Sequence, residues 1–340
     1  MNGIEKQKKK RFWMIISSLM ILIIGFSFIS LSVGVISISP MDVIQTLMQN
    51  GTQRQEMVLF DFRMPGIILA LLIGAGLAVS GTIMQGITQN GLADPGILGI
   101  NTGAGFAIVL FLFFFRDIVP ATSPVSTFVM PFVALLGAFS AALLIYLIAW
   151  KKGVAPIRLV LVGIGVNAAF SALLTVMQLK MDPQNFRHVT IWLSGDIWNA
   201  SWSFVIALLP WMLILIPVAI KKSKSLNVFH LGDEVAAGLG TRVELERGLL
   251  LLIAVALAGA AVAAGGAIAF LGLVVPHIVR KLAGPLHQFV IPISALLGAL
   301  ILMVADMIAS NALAPMTIPV GIIVSIVSTP YFIYLLMKTN

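Results

Sequence analysis

Few residues in this sequence are equipped for chemistry. The four histidines, His188, His230, His277 and His287, are scattered, and none has a second ligand at the spacings that hold zinc. There is no cysteine, which removes thiolate nucleophiles, disulfides, iron–sulfur clusters and cysteine-based zinc sites. No G-x-x-x-x-G-K-[ST] run is present to cradle nucleotide phosphates, and neither H-E-x-x-H nor G-x-S-x-G occurs. No catalytic residue and no metal site is therefore expected. Three small constellations remain. Asn90 precedes an Asp94-Pro95 pair, Pro276-His277 is followed by Arg280, and Asp306 is the clearest ionisable residue inside an apolar run. His277 is expected to bond a neighbouring backbone rather than a metal, and Asp306 to be a hydrogen-bonded residue of helix packing.

The elements that must position these residues follow from composition. Of 340 residues 59% are hydrophobic and 10% charged, against about 25% charged in a soluble domain. A membrane-crossing helix needs roughly 20 apolar residues, so the chain can supply about ten. Apolar runs fall at 12–38, 64–88, 97–115, 126–150, 157–179, 202–220, 246–264, 268–284, 288–309 and 318–337. An all-α integral membrane protein is expected, a single domain over 1–340 with both termini cytoplasmic. The first run is too long for a secretory signal and lacks a cleavage site, so it reads as a retained helix. This topology places the basic tail (1–11), Lys151, Lys152, Arg158, the basic residues of 221–247, Arg280, Lys281 and Lys338 inside. Of the 21 basic residues only Arg54, Arg63, Arg116, Lys180 and Arg187 remain outside, as the positive-inside rule requires. The high pI of about 9.9 thus reflects topology rather than a nucleic-acid surface.

Ser39-Pro40, Asp94-Pro95, Ser123-Pro124 and Asp182-Pro183 each read as an N-cap followed by a first-turn proline. Gly74, Gly76, Ala78 and Gly81 recur at helical spacing, the pattern by which helices approach closely in lipid. The one sizeable polar inside segment, 221–247, contains Leu231–Gly240. There Asp233 and Glu234 suit the first turn of a short helix, and Gly238 and Gly240 would break it. Short cytoplasmic helices with small residues suit docking on a soluble partner. Intramembrane carboxylates and histidines, which bind the coupling ion of a secondary carrier, are nearly absent, so energy is expected from another subunit. A self-sufficient secondary transporter of a small solute is the alternative.

Three blocks carry a resemblance. They are Arg63–Gln85 continuing through Asn90-Gly-Leu-Ala-Asp-Pro-Gly-Ile-Leu-Gly99; Leu231–Gly240 with Gly265–Arg280; and Ala305-Asp306 with Pro319-Val-Gly321 and Thr329–Leu336. Together they resemble the permease subunits of ATP-binding cassette importers for iron–siderophores, haem and cobalamin. The resemblance implies a type II importer permease of ten helices, not itself an enzyme, in a bacterial-type cytoplasmic membrane. It implies two cytoplasmic ATPase subunits carrying the ATP and Mg, a second permease, and an extracytoplasmic binding protein. No cofactor is implied on this chain. Gly232, Glu234, Ala237, Gly238 and Gly240 match the segment that contacts the ATPase, and Arg63 matches an outer arginine that meets the binding protein. Gly163, Gly165 and Asn167 lie on the helix matching the one that lines the pathway. The chain departs from the pattern at Gly66 and Ser310, where arginines are usual, at Thr317, where a glutamate is usual, and at Gly91, where a proline is usual. An outer surface reduced to Arg63 favours a heterodimer with a second, different permease. The cargo implied is a ferric siderophore or similar chelate, still ligated as it crosses.

Because the native chain has no cysteine, single cysteines report topology cleanly. Positions 6 and 224 are expected to stay unlabelled by an impermeant thiol reagent in intact cells and to react once the membrane is opened. Labelling of either in intact cells would reverse the orientation.

Overall fold

The computed structural model describes residues 3–34, 36–115, 124–151, 153–197, 200–314 and 316–338, so Arg116, Ser123 and Lys152 lie outside the described residues. It begins with α1 (Gly3–Ser32), short α2 (Pro40–Leu47) and α3 (Gln53–Glu56), and a wide-wound π segment (Met57–Arg63) that runs into α4 (Met64–Thr88). Next come α5 (Ile100–Phe115), α6 (Pro124–Ala149), α7 (Pro156–Leu179), the short α8 (Pro183–Leu193) and α9 (Trp202–Lys221). Two short helices, α10 (Ser223–Phe229) and α11 (Asp233–Gly238), precede α12 (Val243–Gly265), α13 (Leu271–Ala283), α14 (His287–Asn311) and α15 (Val320–Lys338). Among the described residues eight helices are long and apolar enough to cross a membrane. The two other expected spans are the 16-residue α5 and the 13-residue α13.

The core is organised around α4, which packs against α12, α13, α14 and α9 and is buried along most of its length. Lipid gives no hydrophobic drive between helices, so backbone approach must supply the contact. At two crossings it does so through facing glycines. A methyl group on Gly74 would collide with the main chain of Gly298 in α14, and one on Gly81 with the main chain of Gly272 in α13. Gly103 and Gly137 make the same kind of crossing between α5 and α6.

The expected span at 268–284 is helical only from Leu271. Thirteen residues rise about 20 Å, short of the roughly 30 Å hydrocarbon core. The difference is made by Gly266–Phe270, which is not helical. Gly265 at the end of α12 packs on Ile73, well inside α4, so the break lies at bilayer depth. Irregular backbone is tolerated there only where protein covers it. Three glycines allow that cover. Gly266 abuts the Trp192 carbonyl at the end of α8, and Gly321 abuts that of Ser194, with the Gly321 N–H donating to the Gly195 oxygen at 3.2 Å. The Asn101 amide donates to the Ile268 carbonyl at 3.3 Å.

Two capping expectations hold and one does not. Ser39 and Asp182 accept from Asp42 N–H and Asn185 N–H and are followed by proline, although Asp182 starts the short α8 rather than a full span. Asp94-Pro95 starts no helix. Asp94 Oδ1 instead accepts the Gly96 N–H at 2.7 Å, a local turn that outcompetes helix, and α5 begins only at Ile100.

Gly81→Val should destabilise the folded protein by about 1–3 kcal/mol or more, since the added volume meets main chain that cannot rotate away. Gly25, with nothing within 4 Å, supplies the control: Gly25→Ala should leave thermal stability in detergent unchanged. Equal melting of the two variants would mean that α4 and α13 do not touch through their backbones.

Candidate functional site

The polar residues converge at three places, of which the one around α10 and α11 is the most fully built. Lys222 and Ser225 meet the Glu246 carboxylate on α12, the former as an ion pair of 2.7 Å and the latter as a 2.9 Å hydrogen bond. Asn227 Oδ1 accepts the His287 N–H at 2.9 Å, so α10 caps the start of α14 from outside that helix. Gln89, which ends α4 in a left-handed conformation, donates to the Phe229 carbonyl at 2.7 Å. These bonds fix α10 to α4, α12 and α14. From this base α11 projects outward. Gly232 and Gly240 bracket it with φ of +93° and +83°, values that β-carbon-bearing residues rarely adopt, so both turns depend on glycine.

The faces of α11 divide sharply. Ala236 is buried, while Val235 and Leu239, four residues apart and so on one face, are 50% and 64% exposed, and Leu231, just before the Gly232 turn, is 59% exposed. Glu234, Ala237, Gly238 and Gly240 are exposed beside them. Nothing lies within 4 Å of where a methyl on Gly232, Gly238 or Gly240 would sit. Asp233 and Glu234 occupy the first turn, as expected for the positive end of the helix dipole. An exposed contiguous apolar face of this kind marks a candidate interaction surface.

The Pro276-His277-Arg280 block has a main-chain reason. Pro276 has no N–H, so the Gly272 carbonyl four residues earlier loses its helical partner. Gln85 on α4 supplies the donor, its amide reaching the Gly272 and Leu273 carbonyls at 3.2 Å each. Arg280 Nη2 in turn donates to Gln85 Oε1 and locks that amide in place. Gln85 lay in the sequence block but was not singled out; a proline four residues after Gly272 was the signal. His277 does not follow expectation. Its ring packs edge-on against Tyr331, 5.9 Å between centroids, and Nε2 is buried without a hydrogen-bond partner. Asn90 Oδ1 accepts the Leu92 N–H at 2.9 Å and shapes the turn after α4.

At the third place Arg63 donates to the Leu31 and Ile36 carbonyls and so fastens the end of α1 to the π segment. It lines a cavity of about 640 Å³ together with Asp61, Asp306, Ser310 and Asn311. Asp306 thus stands on a cavity wall, and among the described residues no hydrogen bond reaches its carboxylate.

On α7 the three expected pathway residues do not share a face. Gly163 is buried against Leu98, and Asn167 Oδ1 accepts from Thr102 Oγ1 at 2.7 Å while backing onto Gly99. Gly165 points the other way, into open space, on an apolar concavity of about 420 Å³ shared with Ala169, Leu173 and Leu144. Among the described residues no group of three or more histidine or carboxylate side chains could hold a metal ion. Arg247, taken in the sequence only as one of the inside basic residues, is the most voluminous fully buried side chain of the fold.

Comparisons with known proteins bear on the whole of this arrangement. The model of the FecCD transport family matches residues 21–338. The chain is 53% identical, over 98% of its length and the whole of the relative, to an iron(3+)-hydroxamate import system permease protein, FhuG, of Bacillus subtilis. It is 43% identical over 93% of its length, and 95% of the relative, to the iron-uptake system permease protein FeuC of the same organism. It is 35% identical, over 94% of each chain, to the hemin transport system permease protein HmuU of Yersinia pestis. Among solved structures, a metal-chelate type ABC transporter in an inward-facing conformation superposes with a TM-score of 0.82 at 28% identity, covering 96% of this chain and 99% of that one. A helical membrane protein with this fold, matched along nearly its whole length by the family model, belongs to the FecCD transport family as a permease subunit.

Proposed function

We propose that the chain is the membrane-crossing half of an ATP-driven importer that moves a ferric siderophore, of the hydroxamate class, into the cytoplasm across a bacterial-type plasma membrane. The observation that carries the ATP-driven part is the exposed apolar stripe of Val235 and Leu239 on α11, with exposed Leu231 just before it, flanked by open glycines. ATP hydrolysis takes place on two separate cytoplasmic subunits that receive this stripe, and their closure shifts α11 and the helices beneath it. The cargo class rests on the 53% identity to a hydroxamate import permease over the full length.

On the outer face Arg63 is the contact for the binding protein. Two of its five N–H groups hold α1 and the loop after it, which leaves others for a carboxylate of the incoming partner. Gly165, open on the exposed face of α7, is the residue of its helix that meets cargo or the second permease. The second permease is a different chain, which restores the outer contacts that this one lacks.

Uptake of radiolabelled ferric hydroxamate by cells carrying the complete transporter should be lost when this chain is removed and should require hydrolysable ATP. Uptake driven by an ion gradient without the ATPase would overturn the proposal. Gly240→Trp should leave the permease in the membrane while weakening co-purification of the ATPase about three- to hundredfold, since overpacking a close contact costs about 1–3 kcal/mol. Normal ATPase recovery with normal transport would make α11 a solvated loop. Arg63→Glu should weaken docking of the loaded binding protein, and a lysine placed opposite on the binding protein should restore it. Failure of that restoration would confine Arg63 to holding α1.

A further inference from the structure

Arg247 stands in the second turn of α12, its side chain 1% exposed. One terminal nitrogen donates to Asp233 Oδ1 at 2.6 Å, in the first turn of α11. The other donates to the Val154 carbonyl at 2.7 Å. Glu244, one turn earlier on α12, lies 3.6 Å from the same guanidinium and takes the Val154 N–H on its two oxygens at 3.3 Å each. The guanidinium carbon is also 5.5 Å from the ring centre of Phe229, the last residue of α10. Its Nε has no partner, so these contacts alone offset the cost of burying the charge.

The segments brought together are informative. Asp233 belongs to the element that carries the exposed stripe. Val154 stands two residues before Pro156, where α7 begins. Among the described residues the bond from Asp233 to Arg247 is the only side-chain hydrogen bond that leaves α11. Alongside the chain links and the packing of α11 on α10 and α12, Arg247 thus ties α11 to the peptide that leads into α7.

We propose that Arg247 is a positioning residue for transport, relaying displacement of α11 to the base of α7, so that without it ATP hydrolysis continues while import fails. The proposal rests on the reading of α11 as the contact for the ATPase. It touches neither cargo nor nucleotide and acts through Asp233 and the Val154 peptide. Arg247→Lys keeps the charge but has no planar fork to hold both partners at once. Asp233→Asn keeps the size of a half-exposed side chain and removes the charge on the α11 side.

The test uses the complete transporter in proteoliposomes, with both permeases, the ATPase subunits and binding protein loaded with ferric hydroxamate. Three quantities are read for the native complex, Arg247→Met, Arg247→Lys, Asp233→Asn and Asp233→Ala: ATPase recovered with the permease, ATP hydrolysed, and labelled chelate imported. Recovery and hydrolysis should persist in the variants while chelate imported per ATP falls about tenfold, within the range of measured couplings between sites. Arg247→Lys should fall between the native complex and Arg247→Met. A parallel fall of hydrolysis and import, leaving their ratio unchanged, would overturn the proposal by making Arg247 merely structural. If Arg247→Met does not fold, Asp233→Ala decides, because it leaves Arg247 bonded to Val154 and offers the guanidinium no acceptor on α11, where Asp233→Asn still does; an unchanged ratio in Asp233→Ala overturns the proposal equally. Failure of the native complex to retain the ATPase would instead refute the reading of α11 itself.

Discussion

A side chain as small as methyl cannot be placed between α4 and α13 at Gly81, or between α4 and α14 at Gly74, without striking main chain. This close approach is the constraint on which the rest of the structure hangs. In lipid, apolar side chains gain nothing by leaving one apolar neighbour for another, so dispersion between tightly opposed backbones must hold the helices. With α4 gripped on both sides, its inner end is fixed, and Gln85 and Gln89 are delivered to α13 and α10. The α10–α11 platform is therefore referenced to α4, buried along most of its length, rather than to the more exposed helices.

The second constraint is the accounting of backbone polar groups where no water is at hand. Interior prolines break the helical ladder in several helices, and at two sites, the Gly266–Phe270 segment and the carbonyl orphaned by Pro276, the cover is visible. Each is covered by an amide borrowed from another helix, Asn101 for the first and Gln85 for the second. Phe270, at φ of +67°, holds a conformation unusual for a residue with a bulky side chain. It ends the broken segment and hands the chain to α13, so the conformational cost falls where the fold most needs an abrupt change of direction.

Much of this was legible in the sequence because bilayer thickness writes itself into run length. The apolar runs and the glycine rows of α4 required only local reading. What escaped was non-local. Asp94 and Pro95 look like a helix start, yet the carboxylate turns to Gly96 because that bond closes within three residues. The 268–284 run is apolar as far as Pro276, and nothing in its residues alone announces that its first turn is unwound by packing against α8 and α15. Gly163, Gly165 and Asn167 were adjacent in sequence but diverge in space, since positions two apart on a helix point nearly opposite ways. Arg247 was invisible for the opposite reason: a cation near a helix start reads as solvated, and only the tertiary fold brings Asp233, Glu244 and Val154 around it.

Glu244 and Arg247 hold Val154 by its N–H and its carbonyl, not by its side chain. Such a grip reads no letters of the gene at that position. Evolution can exchange the side chain at 154 within the limits of packing and leave the hold untouched, and proline alone, which has no N–H to offer, is barred. Glu244 and Arg247 enjoy no such latitude, because their function is in their side chains. Among descendants of this chain the two ends of the same contact should therefore drift at very different speeds.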